Sequence, residues 1–240
     1  MAYVAVDSNG DAGIGSAFHV GDGVFVTARH VVEGRIITEV RVTDEHLYYR
    51  SSLYPKNEKG SYLITPDSPR ICTDVQGRLA VASGPFFHPD PDVDLAAFIA
   101  SGIAEGAHYV PLGGHLDDWI GIGDFVLSRA IVLGYPPVPF TTEPALIAAA
   151  CEVNSVVDLR IGKKSQPHFI LSAIPRGGFS GGLAFSEWGF AIGVITQSLL
   201  NGGGAPETGY FTITSIEAVY ECLQAHEICP QSQIECFNIE

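Results

Sequence analysis

Three short segments of the 240-residue chain carry residue types that together could perform acyl transfer through a hydroxyl. Thr27-Ala28-Arg29-His30-Val31-Val32 supplies an imidazole, the usual base for activating a weak hydroxyl nucleophile near neutral pH. Asp90-Pro91-Asp92-Val93-Asp94-Leu95 sets a carboxylate, Asp94, at the mouth of an apolar run, where it can orient an imidazole and stabilise its charged form. Arg176-Gly177-Gly178-Phe179-Ser180-Gly181-Gly182-Leu183 sets a hydroxyl among glycines, which permit a tight turn and let backbone N–H groups approach a developing oxyanion. Each segment also has an ordinary reading. A lone histidine is more often a surface or core residue, and a Gly-x-Ser-Gly-Gly string is more often a flexible loop. Asp90, Asp92 and Asp94 could open a calcium loop, although prolines interrupt it and the downstream ligand pattern is missing.

Order separates the readings. Base, acid and nucleophile occur as His30, Asp94 and Ser180, the chain order of chymotrypsin, with separations that suit a base and acid on one barrel and a nucleophile on a second. The strand-like stretch leading into Thr-Ala-x-His-Val-Val, the Asp-Leu-Ala segment and the Gly-x-Ser-Gly-Gly turn together resemble the trypsin-like serine peptidases, in particular the bacterial type. Pro111-Leu112-Gly113, Ile122-Gly123-Asp124-Phe125-Val126 and Leu133-Gly134-Tyr135-Pro136 are similar to the start of that family's second barrel. The resemblance covers about residues 13–42 and 92–224. It implies an all-β, chymotrypsin-like fold of two six-stranded antiparallel barrels with a C-terminal helix: residues 1–108 for the first barrel, 109–214 for the second and 215–240 for helix and tail. It implies His30, Asp94 and Ser180 as a catalytic triad and the N–H groups of Gly178 and Ser180 as oxyanion donors. It also implies a specificity pocket with Ile174 at its base and Thr196, Gln197, Ser198 and Gly209 in its walls.

The elements that must position these groups read as short β-like runs divided by Gly, Pro, Asn and Asp, a pattern of barrels or sandwiches rather than alternating β/α units. Residues 16–20 and 24–30 flank Gly21-Asp22-Gly23 as a hairpin. Further strands are expected over 94–100, 125–133, 145–159, 169–174, 183–185, 190–196 and 210–213. The alanines of 145–151 would also suit a helix. Residues 43–84 read as a long surface loop with weak strand signals at 62–64 and 79–82. Thr214-x-x-Glu217 has the form of a capping box, and Ile216, Val219, Tyr220 and Leu223 recur at helical spacing, which predicts one amphipathic helix. No internal repeat is visible in residue identity.

Composition supplies 46% apolar and 10% aromatic residues, enough for a core without metal or disulfide support. Twenty-seven acidic against thirteen basic residues leave a formal charge of −14, which repels phosphate backbones and anionic lipid and argues against nucleic acid or membrane as partners. Neither a basic, apolar leader nor an apolar run of about 18 residues is present, so the chain reads as cytoplasmic. Cysteines 72, 151, 222, 229 and 236 are odd in number and lack Cys-x-x-Cys pairing, which favours free thiols, with a bridge or adventitious metal in the 222–236 cluster as the alternative. No cofactor is implied.

Two positions depart from the family. Phe179 stands where secreted relatives carry the aspartate that pairs with a newly cut amino terminus, so that activation route is closed. Leu183 stands where proline is usual. The pocket base lacks a carboxylate, so a small or medium apolar residue is expected at the cleaved position rather than Lys or Arg. The partners implied are a protein or peptide substrate and an activating or sensor protein, with the 43–84 loop and Asn201-Gly202-Gly203-Gly204 as contact regions. A catalytically silent binding module on the same scaffold is the alternative.

Overall fold

The computed structural model describes residues 1–42, 58–59, 77–103, 107–113, 125–141, 144–161, 164–173, 177–196 and 211–235. Six strands close the first barrel: β1 (Ala2–Ser8), β2 (Asp11–Gly21), β3 (Val24–Thr27), β4 (Ile36–Val42), β5 (Gly77–Phe87) and β6 (Ala96–Ser101). They run in the order β1-β2-β3-β6-β5-β4, all neighbours antiparallel. The second barrel contains β7 (Arg129–Gly134), β8 (Ile147–Ile161), β9 (Lys164–Leu171), β10 (Leu183–Ser186), β11 (Ala191–Ile195) and β12 (Phe211–Ser215). Its closed order, β7-β8-β9-β12-β11-β10, repeats the first barrel strand for strand. Closure removes the unpaired sheet edges that would otherwise template aggregation. The repeat lives in topology alone, because a barrel needs only inward apolar positions and turn residues, which different sequences can supply.

Local chemistry explains the elements. Ala2, Val4 and Val6 of β1 are buried while Tyr3, Ala5 and Asp7 are partly exposed, the period of two of a sheet with one covered face. Gly21 and Gly23 take φ values of +117° and +77° in the β2–β3 turn, as the hairpin reading requires. Two apolar clusters result. One fills the first barrel around Val4, Val6, Phe25, Val40 and Phe98, with Phe25 and Phe98 stacked at 5.5 Å. Burying each ring contributes roughly 1.5–3 kcal/mol. The other joins Phe18, Val26 and Leu95 of the first barrel to Leu183, Ile192, Ile213 and Leu223, so the two barrels share one continuous core.

Behind this seam lie α2 (Glu217–Ala225) and α3 (Gln231–Glu235); a single helical turn, α1 (Arg29–Val32), follows β3. Gln233 is fully buried. Its amide donates to the carbonyls of Val20 and Val110 and accepts the N–H of Leu112, tying the chain between the barrels to its C-terminal end.

Several expectations need correction. The strand expected over 24–30 ends at Thr27, because the chain turns into α1 at Arg29 and lifts His30 off the sheet. The run 125–133 begins as a turn, with Leu127 at φ +70°, and becomes strand only at Arg129. In the stretch 43–84, read as strands carrying a long surface loop, the strand signal at 79–82 falls within β5, which starts at Gly77; the remaining residues, 58–59 apart, and the signal at 62–64 lie outside the described residues. The capping box does not form. Thr214 lies within β12, α2 is preceded by Ile216 in helical conformation without a side-chain cap, and Glu217 instead accepts from the Ser215 hydroxyl at 3.1 Å. The segment 145–151, ambiguous between helix and strand, enters β8 at Ile147 and pairs with β7.

Candidate active site

His30 sits on α1, the turn that leaves β3, and Asp94 lies just before β6, which pairs with β3. That adjacency brings the two side chains together although 64 residues separate them. Asp94 accepts twice from His30: its Oδ1 takes the backbone N–H at 2.8 Å and its Oδ2 takes Nδ1–H at 2.7 Å. A carboxylate accepts only, so Nδ1 carries a proton, and in the neutral imidazole the lone pair is on Nε2. The His30 side chain is 36% exposed against 19% for Asp94, which leaves the imidazole open to solvent while the carboxylate is covered.

Arg29 secures the same pair from behind. Its guanidinium donates to the carbonyls of Pro91 at 2.9 Å and His88 at 3.2 Å and lies 4.8 Å from the centre of the Phe87 ring. It therefore clips the loop that leads to Asp94 onto the turn that carries His30. Within that loop, Asp90 accepts the N–H of Asp92 at 3.1 Å, so two of the three aspartates read as a calcium-loop opening are engaged in local bonds. Among the described residues no cluster of three or more His, Cys, Asp or Glu side chains is disposed to hold a metal.

Ser180 lies on the turn before β10, built by backbone packing. Gly178 and Gly181 have φ values of +89° and +81°. A methyl at Gly178 would stand 2.6 Å from the Tyr135 carbonyl oxygen. One at Gly181 would strike the Ser16 carbonyl, the Thr27 hydroxyl and, at 2.9 Å, the Ala28 nitrogen. Glycine is thus required twice, for the torsion and for the close approach. The Gly181 N–H donates to Ile195 O at 2.7 Å, Gly182 N–H to Phe179 O at 2.8 Å and Ile195 N–H to Gly182 O at 2.8 Å. No such bond takes the N–H of Gly178 or Ser180 among the described residues. Phe179 is buried in the shared core and lies over Gly134, where a methyl would come within 2.7 Å of its ring, so an apolar side chain anchors the turn.

The turn meets the His30 segment directly. A methyl on Gly15 of β2 would touch both Val31 Cγ1 at 2.5 Å and Ser180 O at 3.3 Å. Val31, next to His30, and Ser180 thus both lie against Gly15 of β2, while Asp94 is bonded to His30 and Gly178 to Ser16 of the same strand. Ser180 Oγ and His30 Nε2 are not hydrogen-bonded in this structure. Of the pocket residues, Thr196 is buried at the end of β11, whereas Ile174, Gln197, Ser198 and Gly209 lie outside the described residues. Behind Thr196 runs a polar chain: Thr196 and Thr214 hydroxyls at 3.1 Å, Thr214 to His168 Nε2 at 3.3 Å, and His168 Nδ1–H to Gln166 O at 2.9 Å. Burial lowers the pKa of His168 below the ordinary value, against a smaller opposing effect of its bond to Gln166.

No described thiol competes as nucleophile. Burial pushes Cys222 up to about 12, with Arg29 pulling weakly the other way, and Cys151 up to about 11. Cys151, Cys222 and Cys229 are free.

Ser16 and Arg29 carry no motif and escaped the sequence reading. Ser16, on β2, is fully buried. Its N–H donates to Ser180 O at 2.8 Å and its hydroxyl donates to Gly178 O at 2.6 Å. That hydroxyl accepts the Tyr135 N–H at 2.8 Å, and the Ser16 carbonyl accepts the Thr27 hydroxyl at 2.8 Å.

No family model and no curated protein matches the chain by sequence. Solved structures do. The active form of the Rv3671c protease from M. tuberculosis is 15% identical over 93% of this chain and 78% of that chain, with a TM-score of 0.58. Its inactive form gives 15%, 93%, 87% and 0.56 in the same order. The HtrA-type protease AlgW, solved with a tripeptide, is 16% identical over 97% of this chain and 61% of that chain, with a TM-score of 0.57. The chain has the double-barrel fold of the trypsin-like serine proteases, HtrA-type included. No described helix is long and apolar enough to cross a membrane.

Proposed function

We propose that this chain is a serine endopeptidase acting on protein or peptide substrates. The observation that carries the reading is the His30–Asp94 pair, with the lone pair of its neutral imidazole on Nε2, on a segment that lies against the same strand, β2, as the glycine-built turn of Ser180. Ser180 Oγ attacks the scissile carbonyl carbon while His30 Nε2 takes the hydroxyl proton; Asp94 holds the imidazole and stabilises its charge. The N–H groups of Gly178 and Ser180 stabilise the oxyanion. His30 then passes the proton to the departing amine nitrogen as the C–N bond breaks, leaving an ester on Ser180. Water, deprotonated by His30, cleaves that ester and restores the hydroxyl. Thr196 offers the pocket a hydroxyl and no charge, in keeping with a small or medium apolar residue at the cleaved position. Control by an activating protein partner belongs to the same proposal, since Phe179 leaves no carboxylate for activation by a cut amino terminus.

The test is covalent. Incubation with a fluorophosphonate, followed by intact mass and peptide mapping, is expected to give one adduct on Ser180, absent from heat-unfolded protein and from Ser180→Ala. Turnover of a peptide substrate should fall by roughly 10⁴–10⁶ in Ser180→Ala. Undiminished turnover in that variant would exclude Ser180 as nucleophile. Specific peptide binding by a protein that takes no label would favour the silent-module reading.

A further inference from the structure

We propose that the Ser16 hydroxyl is the positioning group that holds the oxyanion turn in its working conformation, an inference that rests on the peptidase reading above. A single residue holds the carbonyls of both residues whose N–H groups serve as donors: the Ser16 N–H holds Ser180 O, and the Ser16 Oγ holds Gly178 O. The backbone bond survives any substitution but proline. The hydroxyl bond depends on serine.

Gly178 is the weak point that such a bond must secure. At φ +89° and without a side chain, its flanking peptides have more than one accessible orientation. A rotated peptide would redirect an N–H that must point at the oxyanion. Gly178 is buried, so its carbonyl needs a partner, and the Ser16 hydroxyl is the one it has among the described residues. The hydroxyl proton is committed to Gly178 because its oxygen already accepts the Tyr135 N–H at the end of β7. That second bond fixes the direction in which Oγ donates. The Thr27 hydroxyl, three residues before His30, fixes the Ser16 carbonyl. Ser16 therefore registers the turn of the second barrel against the segment that presents the base. Misplacing a reacting group by about 1 Å can cost about 10²-fold in rate.

The experiment compares wild type, Ser16→Ala, Ser16→Cys and Ser128→Ala. Cysteine keeps an atom at the γ position but is a weak donor and acceptor. Ser128 is a matched control: it is also buried and its hydroxyl also donates to a backbone carbonyl, Phe125 O at 2.6 Å, but it precedes β7 at the end away from Gly134. Thermal melts establish folding for each. Fluorophosphonate labelling of Ser180, followed by intact mass, gives the maximal labelling rate, the half-saturating probe concentration and the pH midpoint. Hydrogen–deuterium exchange of the peptide spanning 177–182 reads the turn itself. The expected result is a maximal labelling rate down about 10²-fold in Ser16→Ala and by less in Ser16→Cys. Half-saturation and pH midpoint should not change, because the His30–Asp94 pair is intact, and exchange at 177–182 should be faster in these two variants alone.

A maximal rate within twofold of wild type in both Ser16 variants, or an equal fall in Ser128→Ala, overturns the proposal. So does unchanged exchange at 177–182. If Ser16→Ala does not fold, Ser16→Cys decides by the same criteria. Wild type that takes no label removes the peptidase reading instead, and the exchange comparison then decides on its own whether Ser16 holds the turn.

Discussion

The two halves of the site are built by different means. On the first barrel, side chains hold one another: Asp94 grips His30 through both oxygens, and Arg29 clips their supporting segments together through three groups. On the second barrel, main-chain groups and the single hydroxyl of Ser16 do the holding. Glycines at 178 and 181 occupy spaces that no side chain fits, and carbonyl and N–H groups from β2 and β11 fix the turn. The first half depends on the charged side chains of Asp94 and Arg29. The second is intolerant of an added methyl.

Of the two halves, the larger expected effect breaks the first without touching the fold. Asp94→Asn preserves shape but lets an amide N–H face Nδ1, which favours the tautomer whose Nε2 cannot accept a proton. A loss of about 10⁴-fold in kcat is expected, the size of the corresponding change in chymotrypsin-like enzymes, with the melting temperature close to wild type. Steady-state kinetics beside a thermal melt check it. Gly178→Ala breaks the second half. The new methyl meets Tyr135 O and the positive φ becomes strained, so both properties should suffer: about 1–3 kcal/mol of stability and about 10²–10³-fold in kcat. Equal stability in denaturant melts would contradict the packing argument.

The smallest effect sharpens the contrast, because it concerns the polar chain behind Thr196 in the second half. His168 is buried with its pKa lowered, so the unfolded chain holds more protons at this residue between the folded value and about 6.5. Its contribution to stability is fully present above about pH 6.5 and is lost as pH falls toward the folded value. Wild type should therefore lose more melting temperature than His168→Gln between neutral and mildly acidic buffer. Parallel loss in both would assign the acid sensitivity elsewhere.

What could be read from the sequence follows the same division. The His30–Asp94 pair and the glycine turn at Ser180 were legible because their neighbours belong to local patterns: a strand exit, an aspartate before an apolar run, a glycine-flanked serine. The two-barrel fold came from the family resemblance that those patterns carry, and the short apolar runs agreed with it. Ser16 and Arg29 were not legible, since their roles depend on partners up to 162 and 62 residues away and no string of neighbours signals them. Thr214 misled for the opposite reason. It has the local form of a helix cap, but pairing of β12 with β9 and β11 claims its backbone, and Thr196 and His168 claim its hydroxyl. The strand β1 went unread because its first five residues, Ala-Tyr-Val-Ala-Val, give no polar alternation, although the folded chain buries alternate positions.

The 162-residue reach of the Ser16–Gly178 bond also sets a clock on the newborn chain. The ribosome delivers the strand bearing Ser16, then His30, then Asp94, and each waits for the glycine turn, which is itself braced by Ile195 on a strand made later still. Domains generally fold in the order they emerge, but the shared core leaves Phe18, Val26 and Leu95 of the first barrel without their apolar partners until the second is made. The bond that joins Ser16 to Gly178 can therefore form only after the turn of the second barrel has been made.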